Sequence, residues 1–116
     1  MAEIAYTIDR KSNECHVVTW ANVTENDTFK TFTFAGLPMD ISVHASDTFG
    51  GATLVFKVAN DGGTGVDATD VSNTAISLTA EGIKSVSERP LTIKPTASGG
   101  TSQTLDVNIV IWYSPE

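Results

Sequence analysis

The chain contains one cysteine, few charged residues and no long apolar run. Because Cys15 is alone, no internal disulfide can form, so we expect a protein that is made in a reducing cytoplasm. Residues Met1–Ile4 lack the basic and apolar regions of a signal peptide, which agrees with that expectation. No apolar run approaches the roughly 20 residues that cross a bilayer, so the sequence gives no support to a membrane role.

Basic residues are also scarce, with 7 Lys and Arg against 14 Asp and Glu in 116 residues and a formal net charge of −7. A surface of this sign repels a phosphate backbone and offers no counterion release, so nucleic acid is not expected as a partner. The length fits one domain, residues 1–116, whose core needs neither a metal nor a disulfide.

Helical periodicity is missing, and strand alternation takes its place. No window has apolar residues at i, i+3, i+4 and i+7 over the length of a helix. Residues 41–45 and 52–59 instead alternate between apolar and polar side chains on either side of Gly50-Gly51. Since glycine allows the backbone angles of a tight reversal, these two segments are predicted to form a hairpin.

Further alternating segments bring the prediction to eight or nine strands. They are residues 4–8, 15–20, 27–34, 75–79, 83–88, 91–94 and 105–113. Residues 66–73 are polar and follow a strong turn signal at Asn60–Gly65, so they are predicted to form a surface loop. The longest alternation, 105–113, is predicted to be a central strand that becomes buried on both faces at its end. The sequence therefore predicts an all-β fold, a single-domain antiparallel β-sandwich of jelly-roll or immunoglobulin-like type.

Groups that could perform catalysis are few. The only histidines, His16 and His44, lie outside any nucleophile motif. His16 is expected on the opposite side of a strand from Cys15, so the two are not expected to share a zinc ion. No Gly-Lys-Ser/Thr follows the glycine turns, so they are not phosphate-binding loops. We therefore predict no enzyme activity, no metal and no cofactor.

An acidic loop leaves one alternative open. Asp61, Asp67 and Asp70 offer the carboxylate oxygens that calcium prefers. Their spacing does not match an EF-hand, so a plain solvated loop is the favoured interpretation.

The aromatic residues leave a second alternative open. Trp20, Trp112 and Tyr113 could form a stacking platform for sugars. Core packing or a subunit interface is favoured, because Tyr113 continues the apolar face of the last strand and Trp20 ends an earlier one.

From Trp20 onward, turns and strands follow one another in a characteristic order. The motifs are Trp20, Asn26–Thr28, Asp47–Thr53, Ala59–Gly63, Glu88–Pro95, and Gly99-Gly100 before Leu105–Tyr113. In this order the chain resembles small virion proteins of tailed bacteriophages, the head decoration or cement type. Members of that family show turns such as G-T-F-G-G-A-T and S-N-D-G-G and a late E-x-P-x-x-I-R-P. The aromatic residue usual shortly after the second turn is absent here, so no contact of that residue carries over.

The resemblance implies a structural virion protein that assembles in the host cytoplasm and forms a homo-oligomer, most often a trimer. It would bind the major capsid protein at threefold positions on the outside of an icosahedral capsid. Within a possible N-terminal arm, residues 1–13, we predict that Ile4, Tyr6 and Ile8 add a strand to a neighbouring subunit or to the capsid. An edge strand of their own domain is an equal alternative.

Trp112 and Tyr113 are predicted to pack at a subunit or capsid contact, because aromatic residues are enriched at interfaces. A carbohydrate-binding or host-adhesion module of a virion is the alternative function. It requires aromatic side chains that are exposed in a row.

Overall fold

A computed structural model describes residues 2–34, 38–60 and 65–113. They form an all-β sandwich without helix, which confirms the predicted fold class. The strands are β1 Ala2–Ile4, β2 Thr7–Arg10, β3 Cys15–Thr24, β4 Asp27–Phe29, β5 Phe32–Thr33, β6 Pro38–Thr48, β7 Thr53–Ala59, β8 Val66–Asp67, β9 Ser77–Leu78, β10 Gly82–Val86, β11 Thr92–Ser98 and β12 Thr104–Tyr113. These exceed the eight or nine predicted, because some predicted strands are divided and short ones are added.

The larger layer, here called the front sheet, has the strand order β10-β6-β12-β3-β2, with every neighbouring pair antiparallel. The prediction that residues 105–113 form a central strand is confirmed. The inward side chains of β12 are fully buried, namely Leu105, Val107, Ile109 and Ile111. The alternation read from the sequence therefore marks the face that packs against the second layer.

The second layer, the back sheet, has the order β5-β11-β7-β8, and β9 also pairs with β7. Pro95 lies inside β11, a position where proline normally disrupts a sheet because it has no N–H to donate. It is tolerated because β5 pairs only with Thr92 and Ile93. At Pro95, β11 has a neighbouring strand on the β7 side alone.

The predicted strand 27–34 is divided between two sheets. Its first part, β4, pairs in parallel with β1, and its second part, β5, belongs to the back sheet. The break falls at Lys30, whose N–H donates to the carbonyl of Ile4 at 3.1 Å and whose carbonyl accepts the indole N–H of Trp20 at 3.0 Å. Because both backbone groups of Lys30 are used in this way, the ladder cannot continue through it.

The predicted hairpin of residues 41–45 and 52–59 is wrong. β6 pairs with β12 and β10 in the front sheet, whereas β7 pairs with β11, β8 and β9 in the back sheet. Both edges of β6 are occupied, so the chain crosses to the other layer through residues 49–52. Gly50 and Gly51 have φ of 58° and 87°, so their flexibility serves a connection between sheets.

Residues 66–73 were predicted to be a surface loop, and this is partly wrong. β8 pairs with β7, and Ala68 is fully buried, with its N–H donating to the carbonyl of Phe56 at 2.8 Å. The preceding turn prediction falls mainly on residues 61–64, outside the described residues. The small side chain of Ala68 allows this polar segment to approach the core.

The core lies between the sheets and includes an aromatic cluster at the β1–β4 side. Trp20 is fully buried, and Tyr6 packs edge-on against it and against Phe32, with ring centroids 5.7 and 5.1 Å apart. Such edge-to-face pairs contribute about 0.5–1.5 kcal/mol beyond the area that they bury. No helix in the described ranges has the length and apolar character to cross a membrane.

Candidate adhesion surface

The predicted N-terminal contact residues lie against their own domain. β1 pairs with β4, and β2 pairs with β3 at the edge of the front sheet. Ile4 and Tyr6 are partly buried against the core, and Ile8 is 38% exposed. The predicted single strand 4–8 is divided at residues 5 and 6, where Tyr6 turns toward the core. Contact of these residues with a neighbouring subunit or capsid stays a prediction.

The two aromatic residues at the end of β12 are separated in space. The strand register is irregular between Trp112 and Tyr113. Tyr113 is half-buried, its ring packs edge-on against His16 with centroids 5.0 Å apart, and its N–H donates to the carbonyl of Glu14 at 2.7 Å. Trp112 is 47% exposed on the outer face of the front sheet. The prediction that this end is buried on both faces is therefore wrong.

Trp112 belongs to an apolar group that we call the Trp112 patch, which consists of Cys15, Val17, Val110 and Trp112. In the register of β3 and β12, Val110 lies opposite Val17 and Trp112 lies opposite Cys15. Side chains at such positions have Cβ atoms about 4.5–5.5 Å apart, so the four are in contact, with Cys15 buried beside the accessible Val17, Val110 and Trp112. Sequence analysis missed Val17 and Val110 because only the pairing of strands about 90 residues apart brings them together.

Polar residues continue the same face away from the patch. The hydroxyl of Thr19 donates to Oδ1 of Asn108 at 2.7 Å, which joins β3 to β12. On the other side, Nε2 of His44 lies 3.2 Å from Oε2 of Glu81. The outer face thus has an apolar end at Trp112 and a hydrogen-bonded end in which Ile83, opposite His44 and 65% exposed, is the apolar exception.

The sugar platform of Trp20, Trp112 and Tyr113 is not formed. Trp20 is fully buried, and its indole N–H donates to a backbone carbonyl. Core packing, the favoured interpretation of Trp20, is confirmed. Tyr113 points to the core side of β12 and Trp112 to the outer side, so these three rings cannot stack on one ligand.

The acidic loop uses its described carboxylates within the fold. Oδ1 of Asp67 is buried without a well-aligned hydrogen-bond donor, but Nζ of Lys57 lies 2.5 Å away and compensates its charge. Oδ1 of Asp70 accepts the N–H groups of Ser72 and Thr74 at 2.9 and 3.1 Å. Asp61 lies outside the described residues. Within those residues, no group of three or more His, Cys, Asp and Glu is arranged to hold a metal ion.

His16 and Cys15 lie on opposite sides of β3, as predicted. His16 pairs with the inward Ile111, and Cys15 pairs with the outward Trp112. The two side chains therefore cannot ligate one ion together.

A hydrogen-bonded cluster that sequence analysis missed joins residues 69 and 87–88. Glu88 accepts both the N–H of Thr69, at 2.9 Å, and its hydroxyl, at 2.5 Å. Partial burial acts to raise the pKa of Glu88, but hydrogen bonds from Thr69, the Glu88 backbone and Ser87 together outweigh it, so the pKa lies below its ordinary value. The pair ties the segment after β10 to the segment after β8.

An open cleft of about 620 Å³ lies beside this cluster. Its lining residues are Val58, Ala59, Asn60, Gly65, Val66, Glu88, Arg89 and Pro90. Its two charged groups are engaged within the fold, since Glu88 is held by Thr69 and Nε of Arg89 donates to the carbonyl of Met39 at 2.9 Å. Among its described lining residues, the cleft therefore has no charged group that is free to bind a ligand.

In comparisons with known protein families, curated proteins and solved structures, nothing matched this chain.

Proposed function

We propose that this protein is a structural virion protein that decorates the outside of an icosahedral phage capsid. In this proposal it forms a trimer at threefold positions and binds the major capsid protein there. The order of turns and strands that resembles phage decoration proteins supports it. The observation that carries it is the Trp112 patch, an apolar surface on the outer face of a sheet whose central strand β12 buries its inward side chains completely.

An open apolar surface of this kind suits adhesion. Trp is among the residues that contribute most to binding when a partner covers them. A decoration protein that binds only the mature lattice stabilises that lattice by mass action, because binding lowers the free energy of one state alone. Three contacts joined in one trimer gain affinity through their high effective concentration, so each contact can be weak.

The charge of the chain is compatible with a position outside the capsid. With a net charge of −7, the protein has no attraction to packaged or released nucleic acid. Self-association has candidate contacts at the edges of the front sheet. β2 and β10 each have a neighbouring strand on one side only in the described residues, and such edges can pair with another chain.

The test has two parts. Mass spectrometry of purified virions asks whether the protein is present on heads, and light scattering of the purified protein measures its oligomeric mass. Binding is then measured to expanded and unexpanded shells of the major capsid protein from the same phage. We expect a trimer that binds expanded shells. A protein that stays monomeric at high concentration and is missing from heads contradicts the proposal.

A carbohydrate-binding module is the second candidate, and the exposure of Trp112 favours it. Trp112 is the one aromatic side chain among the exposed large hydrophobic residues of the described ranges. A single ring supports stacking on one sugar, whereas a row would be needed for a longer glycan. Glycan-array binding that Trp112→Ala abolishes would support this function over decoration.

A further inference from the structure

We infer that the Trp112 patch binds a protein segment that combines Lys or Arg with aliphatic side chains. The inference rests on the proposed function, because it assigns the contact face and the chemistry of the partner surface. It depends on three features of the outer face, namely its apolar centre, the acidic residues on its border, and the absence of Lys and Arg from its strand positions among the described residues.

The apolar centre runs along two adjacent strands. Val17 and Val110 are half-buried and lie side by side, and the next outward pair along the strands is Trp112 with the buried Cys15. Trp112 is exposed at the end of this strip. A flat surface of aliphatic carbons that ends at an indole ring fits aliphatic side chains along the strip and a cation over the ring.

The border of the strip is acidic. Asp40 on β6 lies opposite Trp112, and Asp9 on β2 lies opposite Val17. Asp40 forms no ion pair with another described residue, whereas Asp9 is paired with Lys11 at 2.7 Å. A cation that stacks on Trp112 would therefore lie within reach of a carboxylate that no described cation pairs with, which strengthens its attraction.

The rest of the described face adds negative charge, and the basic residue at its border, Lys11, is paired with Asp9. Asp106 lies further along β12, where Oδ1 accepts the N–H of Asn22 at 2.9 Å, and Glu81 reaches His44. Among the described residues that the strand register places on the outer face, none is Lys or Arg. Long-range attraction to this face thus selects a basic partner.

The same charges disfavour a second copy of the chain as the occupant. A twofold contact through this face would place Asp40, Asp106 and Glu81 of both copies near one another. Like charges that face each other across an interface oppose association. A basic strip on a different protein is the complementary surface.

The test uses two labelled, blocked twelve-residue peptides, one of alternating Lys and Val and one of alternating Glu and Val. Their binding to the full chain is measured by fluorescence anisotropy at low and high salt. The variants are Trp112→Ala and Asp40→Asn. The controls are Leu91→Ala, a side chain 50% exposed at the start of β11, and Glu3→Gln, an exposed carboxylate on β1.

We expect binding of the Lys peptide and not of the Glu peptide. Trp112→Ala should weaken binding at least about tenfold, as truncation of a central aromatic contact typically does. Asp40→Asn should weaken it about threefold at low salt and less at high salt, because salt screens exposed charges. Both controls should bind as the wild type does. Equal binding of the two peptides, or no effect of Trp112→Ala, overturns the inference.

Shell binding separates this inference from the proposed function. If Trp112→Ala decorates expanded shells as fully as the wild type, the patch is not the contact face, although decoration stands. If the wild type does not bind shells but binds the Lys peptide through Trp112, the proposed decoration function is wrong and the inference about the patch stands. If Trp112→Ala lowers the oligomeric mass and leaves peptide binding unchanged, the patch is a contact between copies and the inference fails.

Discussion

Replacing Gly50 with alanine should destabilise the fold strongly, because two independent costs meet at this residue. Gly50 has φ of 58°, in the left-handed region where an L-residue costs about 1–2 kcal/mol. A Cβ built there would overlap the carbonyl oxygen of Thr101 and would lie 3.1 Å from the backbone nitrogen of Gln103. Both contacts are with backbone, so no side-chain rotation can relieve them.

The size of the stability loss depends on the backbone groups that the new Cβ would displace. The N–H of Thr101 donates to the carbonyl of Gly50 at 3.0 Å, and this bond joins the connection between the sheets to the loop before β12. Moving Thr101 away would weaken that bond, worth about 1 kcal/mol, and would disturb Gln103, whose N–H donates to Glu25. With the backbone cost and the steric repulsion included, we expect a loss of about 3–5 kcal/mol. Such a loss is a large share of the roughly 5–15 kcal/mol that stabilises a typical domain.

Gly51→Ala is the matched control. Gly51 also has a positive φ, of 87°, but a Cβ there would meet no atom within 4 Å. The backbone cost remains, and alanine recovers about 0.4–1 kcal/mol by restricting the unfolded chain, so the net loss should be about 1 kcal/mol or less.

Urea unfolding at neutral pH, followed by near-ultraviolet circular dichroism, measures both variants against the wild type. In thermal unfolding, at about 4 °C per kcal/mol for a chain of this length, Gly50→Ala should lower Tm by roughly 12–20 °C and Gly51→Ala by a few degrees. If the two variants lose the same free energy of unfolding within about 0.5 kcal/mol, the close approach of Thr101 is not what requires glycine, and the reasoning is refuted.

Three further outcomes are expected from urea unfolding. Because hydrogen bonds from Thr69 hold the pKa of Glu88 below its unfolded value, their stabilisation is present above pH about 4.3 and is lost as the pH falls through the folded pKa. The stability difference between wild type and Glu88→Gln should therefore shrink in acid, and a difference independent of pH would contradict this. Trp20→Ala should cost about 3–5 kcal/mol because the residue is fully buried, and a cost under about 1 kcal/mol would mean that the core collapses around the gap. Trp112→Ala should change stability by less than about 1 kcal/mol despite its effect on binding, and a larger loss would assign Trp112 to the fold instead.

The sequence predicts the layers of this fold better than it predicts their connections. Alternation identifies the buried face of β12, because a strand exposes side chains to opposite sides with a period of two. The same signal cannot say which strands pair. The Gly50-Gly51 turn fits a hairpin locally, and it becomes a crossing only because β12 and β10 occupy both edges of β6. Local turn chemistry contains no information about those distant partners.

The candidate surface was predictable only in part. The sequence identifies Trp112 as a contact candidate from its position at the end of a strand. It does not predict that Trp112 is exposed, because that depends on no described strand covering the outer face. Val17 and Val110 become neighbours through a register that an irregularity between Leu105 and Val107 shifts. A shift of one residue would turn the opposite set of side chains outward, so the patch exists only once that register is known.

The place of β12 has a consequence for how a cell makes this protein. β3 and β6 flank β12 on either side, yet both are synthesised well before it, and the hydrogen bond between Thr19 and Asn108 spans 89 positions. While residues 104–113 remain inside the ribosome, the nascent chain exposes two half-built β edges with their apolar sides uncovered. Folding of the front sheet must therefore wait until this strand has left the ribosome, and pairing between neighbouring nascent chains on a polysome is a hazard until then.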